Sequence, residues 1–210
     1  MNRARKSQKQ KTLELVQLAM LAALVVVLQI ISALIPPIGG MVSITLTLIP
    51  VVIGAILFGK KGGAILGFTF GLIVMINCIT ALDPGGNILW NANPILTALL
   101  CLLKGVLAGF VPAVVYSAIS GKKTMSVTKK VFATALAAML APIVNTTTFV
   151  IGMLLFFKET LTIWAGGQAL IVYILLGLAG LNFLIEFIIN IILTPAIIRI
   201  VDVVKKKAIR

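Results

Sequence analysis

An all-α integral membrane protein, a bundle of six transmembrane helices with both termini cytoplasmic, is the fold class that three observations predict. Of the 210 residues, 60% are hydrophobic, and the mean hydropathy is +1.18, a value that soluble globular domains do not sustain. The apolar residues fall in runs near the length that crosses hydrocarbon, roughly 17–25 residues. The 18 Lys and Arg sit in short clusters between those runs, and alternate turns carry nearly all of them.

The elements follow from where the apolar runs are broken. A first helix near Leu13–Ile35 ends at Pro36-Pro37 and Gly39-Gly40. The second run, about Ile44–Phe58, is short for a span and reads as tilted or partial. Gly59-Lys60-Lys61-Gly62 turns the chain into a third helix, about Gly63–Leu82. Asp83-Pro84-Gly85-Gly86-Asn87 opens a loop through Asn91, and Pro94 suits the first turn of a fourth helix reaching Ile119. A basic linker, Ser120–Lys130, leads to a fifth run, Val131–Phe157, and a sixth lies near Ala169–Leu193, where Pro195 should end or kink it. One membrane domain thus fills residues 1–210: a basic arm over 1–12, the bundle over 13–198 and a basic tail over 199–210.

Charge gives the orientation. Five Lys or Arg precede the first helix, two (Lys60, Lys61) lie in the second-to-third turn, four (Lys122, Lys123, Lys129, Lys130) in the fourth-to-fifth linker and five in the tail, which is sixteen of the eighteen. With six spans all these sites share one side, and the positive-inside rule makes that side cytoplasmic. The same clustering sets aside nucleic acid as the reason for the +13 charge. The basic start imitates the beginning of a signal peptide, but the apolar segment after it is long and lacks a small-residue cleavage site, so a retained helix is expected.

The chain has no His, which removes the commonest general base and zinc ligand and leaves hydrolytic chemistry poorly equipped. No cofactor or metal is expected, and the two cysteines, Cys78 and Cys101, read as buried thiols, with a disulfide the alternative. Gly54–Lys61 imitates a phosphate-binding loop but lacks the following Ser or Thr and follows a helix. Asn145-Thr146-Thr147 spells a glycosylation sequon at a depth no glycan reaches.

Polar residues inside the apolar runs mark the candidate site, because they are costly in lipid unless they face protein, water or ligand. On the fourth helix Asn93, Thr97, Cys101 and Lys104 share one stripe, and on the sixth Asn182, Glu186, Asn190 and Thr194 recur every fourth residue. On the fifth, Asn145 and Thr148 share a face with Ala141 and Gly152. Turning the three stripes inward makes one cavity, in which Lys104 would neutralise an anionic group while Asn145, Thr148 and Asn182 supply hydrogen bonds. The alternative for Lys104 and Glu186 is a structural ion pair or snorkelling. The loops Pro36–Met41 and Ala81–Asn93 would close above, with Trp90 as a wall, whereas Trp164 and Tyr173 read as interfacial belt residues. Ala19 and Ala23 form a small-xxx-small pair, suited either to internal packing or to a partner subunit.

With the Ala19-x-x-x-Ala23 pair, the runs Ile49–Gly54 and Phe58–Gly67, Asn93-Pro94 and Asn145-Thr146, the whole chain resembles the substrate-binding S component of energy-coupling factor vitamin transporters. Within the family, the pattern of Asn93-Pro94 with Val144-Asn145-Thr146 looks most like the pantothenate or hydroxymethylpyrimidine branch. The resemblance implies capture of a vitamin from outside at a bacterial plasma membrane, and docking through Ala19 and Ala23 onto a transmembrane coupling protein driven by two cytoplasmic ATPases. Pantothenate is the expected substrate, since Lys104 suits its carboxylate; riboflavin, thiamine and hydroxymethylpyrimidine are alternatives within the family. A self-sufficient transporter using Glu186 as proton site is the alternative outside it.

Overall fold

The computed structural model describes residues 2–34, 46–121, 126–178 and 180–209. Within them the chain is helical, with no strand: α1 (Asn2–Leu34), α2 (Leu48–Ile79), α3 (Pro84–Ala92), α4 (Pro94–Ser120), α5 (Val127–Phe156), α6 (Lys158–Ala165), α7 (Leu170–Tyr173), a π-helical turn at Ile174–Leu178, α8 (Gly180–Ile192) and α9 (Thr194–Ile209). Among the described residues four helices are long and apolar enough to cross a membrane, and two bent pairs raise the number to as many as six. Their outer faces suit lipid, with Ile95 80% and Leu155 70% exposed.

The boundaries differ from expectation in instructive places. Residues 2–12 are the beginning of α1, since Lys, Arg and Gln are good helix formers. The expected second and third helices are the two limbs of α2, joined at Gly59, whose φ of 66° and ψ of −155° suit glycine. A straight helix would hold Gly54 and Leu66 about 18 Å apart. A Cβ at Gly54 would instead lie 2.0 Å from Leu66 Cδ1, so the chain doubles back at Gly59. The limb 48–58, some 16 Å long by helical rise, is too short to cross alone. The Pro36–Met41 loop lies outside the described residues.

Residues 84–92, expected as loop, are helical. Asp83 caps α3 by accepting from the Gly86 N–H at 3.2 Å, Pro84 fills the first turn, and Asn87 Nδ2 donates to the Cys78 carbonyl at 2.8 Å. Local hydrogen bonding thus outweighs two glycines. Residues 158–165 likewise form α6, which ends on the left-handed Gly166 at φ 56°. Beyond it the chain bends by 85° between α6 and the 170–178 segment, and by 50° where α8 hands over to α9 beside Pro195.

A glycine seam fixes α2 against α4. A Cβ at Gly63, Gly67 or Gly71 would lie 2.3, 2.2 or 2.5 Å from the carbonyl oxygen of Gly109, Gly105 or Cys101. Only hydrogen fits there, so the two backbones are in direct contact, and packing of this kind holds helices together where lipid gives no hydrophobic drive. Two clusters make the interior. The larger joins Val25 of α1, both limbs of α2, Ala108 and Tyr116 of α4, Ala133–Ala141 of α5 and Ile197 and Val201 of α9. The smaller joins Leu89, Leu100, Met153, Phe157, Leu161, Ile174 and Leu178 around α3, α6 and the π-helical turn. Lys130 pairs with Asp202, tying the start of α5 to α9.

Candidate functional site

Where the two clusters meet, the helices enclose a cavity of about 20 Å3 lined by Val74 and Cys78 of α2, Asp83, Gly85, Gly86 and Leu89 at α3, Thr97, Leu100, Cys101 and Lys104 of α4, Phe149 of α5 and Trp164 of α6. That volume holds about one water. A small-molecule pocket ordinarily measures about 300–1,000 Å3, so a ligand of that size would fit here only if these walls parted.

Lys104 supplies the cavity's positive charge. It stands ten residues into α4 from Pro94, about 15 Å along the axis. Its ammonium lies 4.9 Å from the centroid of the Phe149 ring, a cation–π contact worth about 1 kcal/mol or more when dry. Asp83 brings the opposite sign. Burial raises its carboxyl above the ordinary carboxylate range, against the opposing pull of the Gly86 N–H and the Lys104 charge. The thiols of Cys78 and Cys101, both buried, lie 3.9 Å apart.

Of the residues that sequence nominates, Thr97 and Lys104 line this cavity. Asn93 is a double cap: its side chain accepts from the Leu96 N–H at 3.1 Å and its carbonyl accepts from Thr97 Oγ1 at 2.8 Å. It also borders an outer cleft of about 370 Å3 with Ala92 and residues 155–160, among them Lys158 and Glu159. Asn145 is buried, and its Oδ1 meets no hydrogen-bond donor among the described residues. The seven-residue step from Asn145 to Gly152 keeps both on one face, and a Cβ at Gly152 would strike Leu100, so that face looks at α4. Asn145 therefore stands one turn below Phe149, beneath the cavity, with Thr148 half-buried on the same side.

Trp90 is half-buried against the larger cluster rather than at the cavity. Glu186 is 4% exposed on α8, and its carbonyl accepts from Asn190 Nδ2 at 2.8 Å. The backbone of Asn182 lies in α8, while its side chain is outside the described residues. Asp83, Cys78 and Phe149 line the cavity although no sequence signal placed them there, and Trp164, expected in the interfacial belt, lines it too. Asp83-Pro84 carried a legible capping signal, but nothing in the spacing says that α6 folds back to bring Trp164 opposite Lys104. Ala19 and Ala23 are exposed on α1.

The described helices form a membrane bundle whose small cavity is lined by both Lys104 and Asp83. Residues 13–198 match the model of the substrate-specific component of ECF transporters, and the chain belongs to that family, a family of multi-pass membrane transport components. Among curated proteins it is similar to the pantothenic acid transporter PanT of Lactococcus lactis subsp. cremoris (strain MG1363), with 27% identity over 200 residues that cover 91% of this chain and 94% of that one.

Proposed function

We propose that this chain captures pantothenate from outside a bacterial plasma membrane and delivers it on docking to an energised coupling module. The observation that carries the reading is Lys104, a cation held about 15 Å inside α4 at the wall of a buried cavity. A lysine at mid-membrane depth costs roughly 2.5–3.5 kcal/mol on insertion scales, and an anionic ligand group offsets that cost. The name of the Lactococcus relative points the same way. Asn145 supports the reading from below: its unpartnered Oδ1 suits a ligand hydroxyl or amide N–H once the walls part. Asp83, Thr97 and Trp164 would complete the enclosure.

In this reading both termini are cytoplasmic, the exposed Ala19 and Ala23 meet a transmembrane coupling protein, and two ATPases outside this chain supply the energy. The test is thermal shift or calorimetry of the purified protein in detergent against pantothenate, riboflavin, thiamine and hydroxymethylpyrimidine, with mass spectrometry of whatever copurifies. Stabilisation by pantothenate alone is expected. A response to another of the four overturns the substrate and spares the family. Uptake by the protein alone in liposomes under an ion gradient would replace the energised module with a self-sufficient transporter.

A further inference from the structure

The first turn of α5 and the middle of α9 come together at one end of the bundle. Ile197 and Val201 of α9 are fully buried in the cluster that holds Ala133 and Ala137 of α5, and beside that contact Lys130 pairs with Asp202. Two more cations flank the pair. Lys129 precedes Lys130 and is exposed. Arg199, also exposed, stands three residues before Asp202 on α9, a spacing that puts the two Cβ atoms about 5–6 Å apart on one side of the helix. Lys129, Lys130 and Arg199 against the one carboxylate of Asp202 leave this corner with positive charge in excess, and among the described residues neither Lys129 nor Arg199 has a carboxylate in ion-pair reach. The remaining acidic residues belong to other elements: Glu14 to α1, Asp83 to the start of α3, Glu159 to α6 and Glu186 to α8.

The setting selects the anion. The 30 residues of α5 rise about 45 Å, which matches a bilayer with its headgroup layers included, about 40–45 Å. The first turn of α5 therefore falls among headgroups. Apolar side chains follow at once. Phe132, 61% exposed, stands three residues beyond Lys129 on the same side of α5, and the exposed Ile200 adjoins Arg199 on α9. A cation with an exposed ring one turn deeper on the same stripe matches a phosphate with an acyl chain beneath it, whereas an acidic protein segment would match the charges and leave the ring uncovered. Arg199 sharpens the choice, because its planar fork meets two phosphate oxygens side by side while Lys129 adds a point charge.

We propose that the corner of α5 and α9 binds one anionic phospholipid, its phosphodiester held between Arg199 and Lys129 and an acyl chain lying along Phe132. Lys130 stays with Asp202, so the lipid adds to that link and does not replace it. The headgroup fastens α9, which meets α8 at a 50° bend, to α5, the helix whose Phe149 lines the cavity. The proposal does not depend on which solute the cavity takes.

The test is native mass spectrometry of the full chain in detergent, titrated with phosphatidylglycerol or with phosphatidylcholine of the same acyl chains. The expected result is one phosphatidylglycerol per chain, held about tenfold or more tightly than phosphatidylcholine. Arg199→Gln combined with Lys129→Gln should erase that preference, with circular dichroism checking that the helices remain. Lys60→Gln combined with Lys61→Gln removes the same charge at the α2 turn and should preserve it. Equal retention of the two lipids by the unaltered protein, or equal losses from the two paired variants, overturns the site. Displacement of the lipid by glycerol phosphate at equal concentration would make this an anion site with no lipid in it, and tighter binding of a polyglutamate peptide would make it a protein contact; either result overturns the proposal. If the Arg199 and Lys129 variant fails to fold, Arg199→Lys decides. It keeps the charge and loses the fork, and should weaken phosphatidylglycerol about threefold or more, an unchanged affinity overturning the site.

Discussion

Replacing Lys104 with Met separates a ligand partner from a structural lysine, because the two roles predict opposite signs for two measurements. For binding, Lys104→Met leaves a ligand carboxylate desolvated in the cavity without its counter-charge. Truncating one member of a buried charged pair costs about 2–5 kcal/mol, and the lower part of that range, 2–4 kcal/mol, suits a cavity that already admits about one water. That weakens pantothenate by about 30- to 700-fold, while the corresponding alcohol, which has no charge to lose, should change by less than about threefold. For the ligand-free protein the sign reverses. Removing the ammonium relieves roughly 3 kcal/mol of burial cost and forfeits about 1 kcal/mol of contact with Phe149. The net gain of about 2 kcal/mol should raise the melting temperature by about 4–8 °C for a chain of this size. Calorimetry with acid and alcohol, beside a melting curve without ligand, checks both. Equal losses for the two ligands, or a lower melting temperature, would refute the assignment.

Asp83 predicts a pH dependence. Burial holds its carboxyl above the ordinary carboxylate range, so near and below that raised value it is neutral beside Lys104. As pH rises through the raised value it ionises and competes with the ligand for the lysine, and pantothenate affinity should fall; Asp83→Asn should flatten the profile. The same shift stabilises the fold below the ordinary carboxylate pKa of about 4, a contribution lost as pH rises through the elevated value, and a melting series over pH would detect it. Gly67→Ala places a methyl 2.2 Å from the Gly105 carbonyl oxygen and should cost about 1–3 kcal/mol, read as a melting temperature lower by several degrees, with loss of ligand response. Ala19→Leu with Ala23→Leu should abolish uptake in cells expressing a coupling module and leave binding in detergent unchanged. Loss of binding as well would return these alanines to internal packing.

What was legible in the chain tracks how local its causes are. Asn93-Pro94 stops one helix and starts another by capping, so α4 begins where the dipeptide says and ends one residue past the expected Ile119. The turn at Gly59 was equally visible, because glycine, two lysines and glycine interrupt an apolar run. The helices α3 and α6 were hidden by glycines and mixed polarity, although Asp83 and Asn87 hold the first of them by side-chain hydrogen bonds. Periodicity showed that α4 and α5 each carry a polar face, but it cannot say which faces meet. Lys104 accordingly was found from sequence, and its neighbours Phe149, Asp83 and Trp164 were not. The Gly63-Gly67-Gly71 row carries the same small-residue spacing as Ala19 and Ala23, and it packs backbone against backbone on α4.

The glycine seam divides the molecule into a stiff half and a compliant one. With backbone against backbone, α2 and α4 have no side chains between them to re-pack, so they cannot separate gradually to admit a ligand. The opposite wall hangs on lighter fixtures. There α6 carries Trp164 and ends at Gly166 and Gly167, both at positive φ, before the 85° bend. Room for a ligand is therefore expected to come from outward motion of α6, with Lys104 stationary on the stiff side. The helix α1, which bears Ala19 and Ala23, packs on α2 and belongs to that stiff side too. A docking partner at α1 would thus grip the half of the molecule that filling the cavity leaves still.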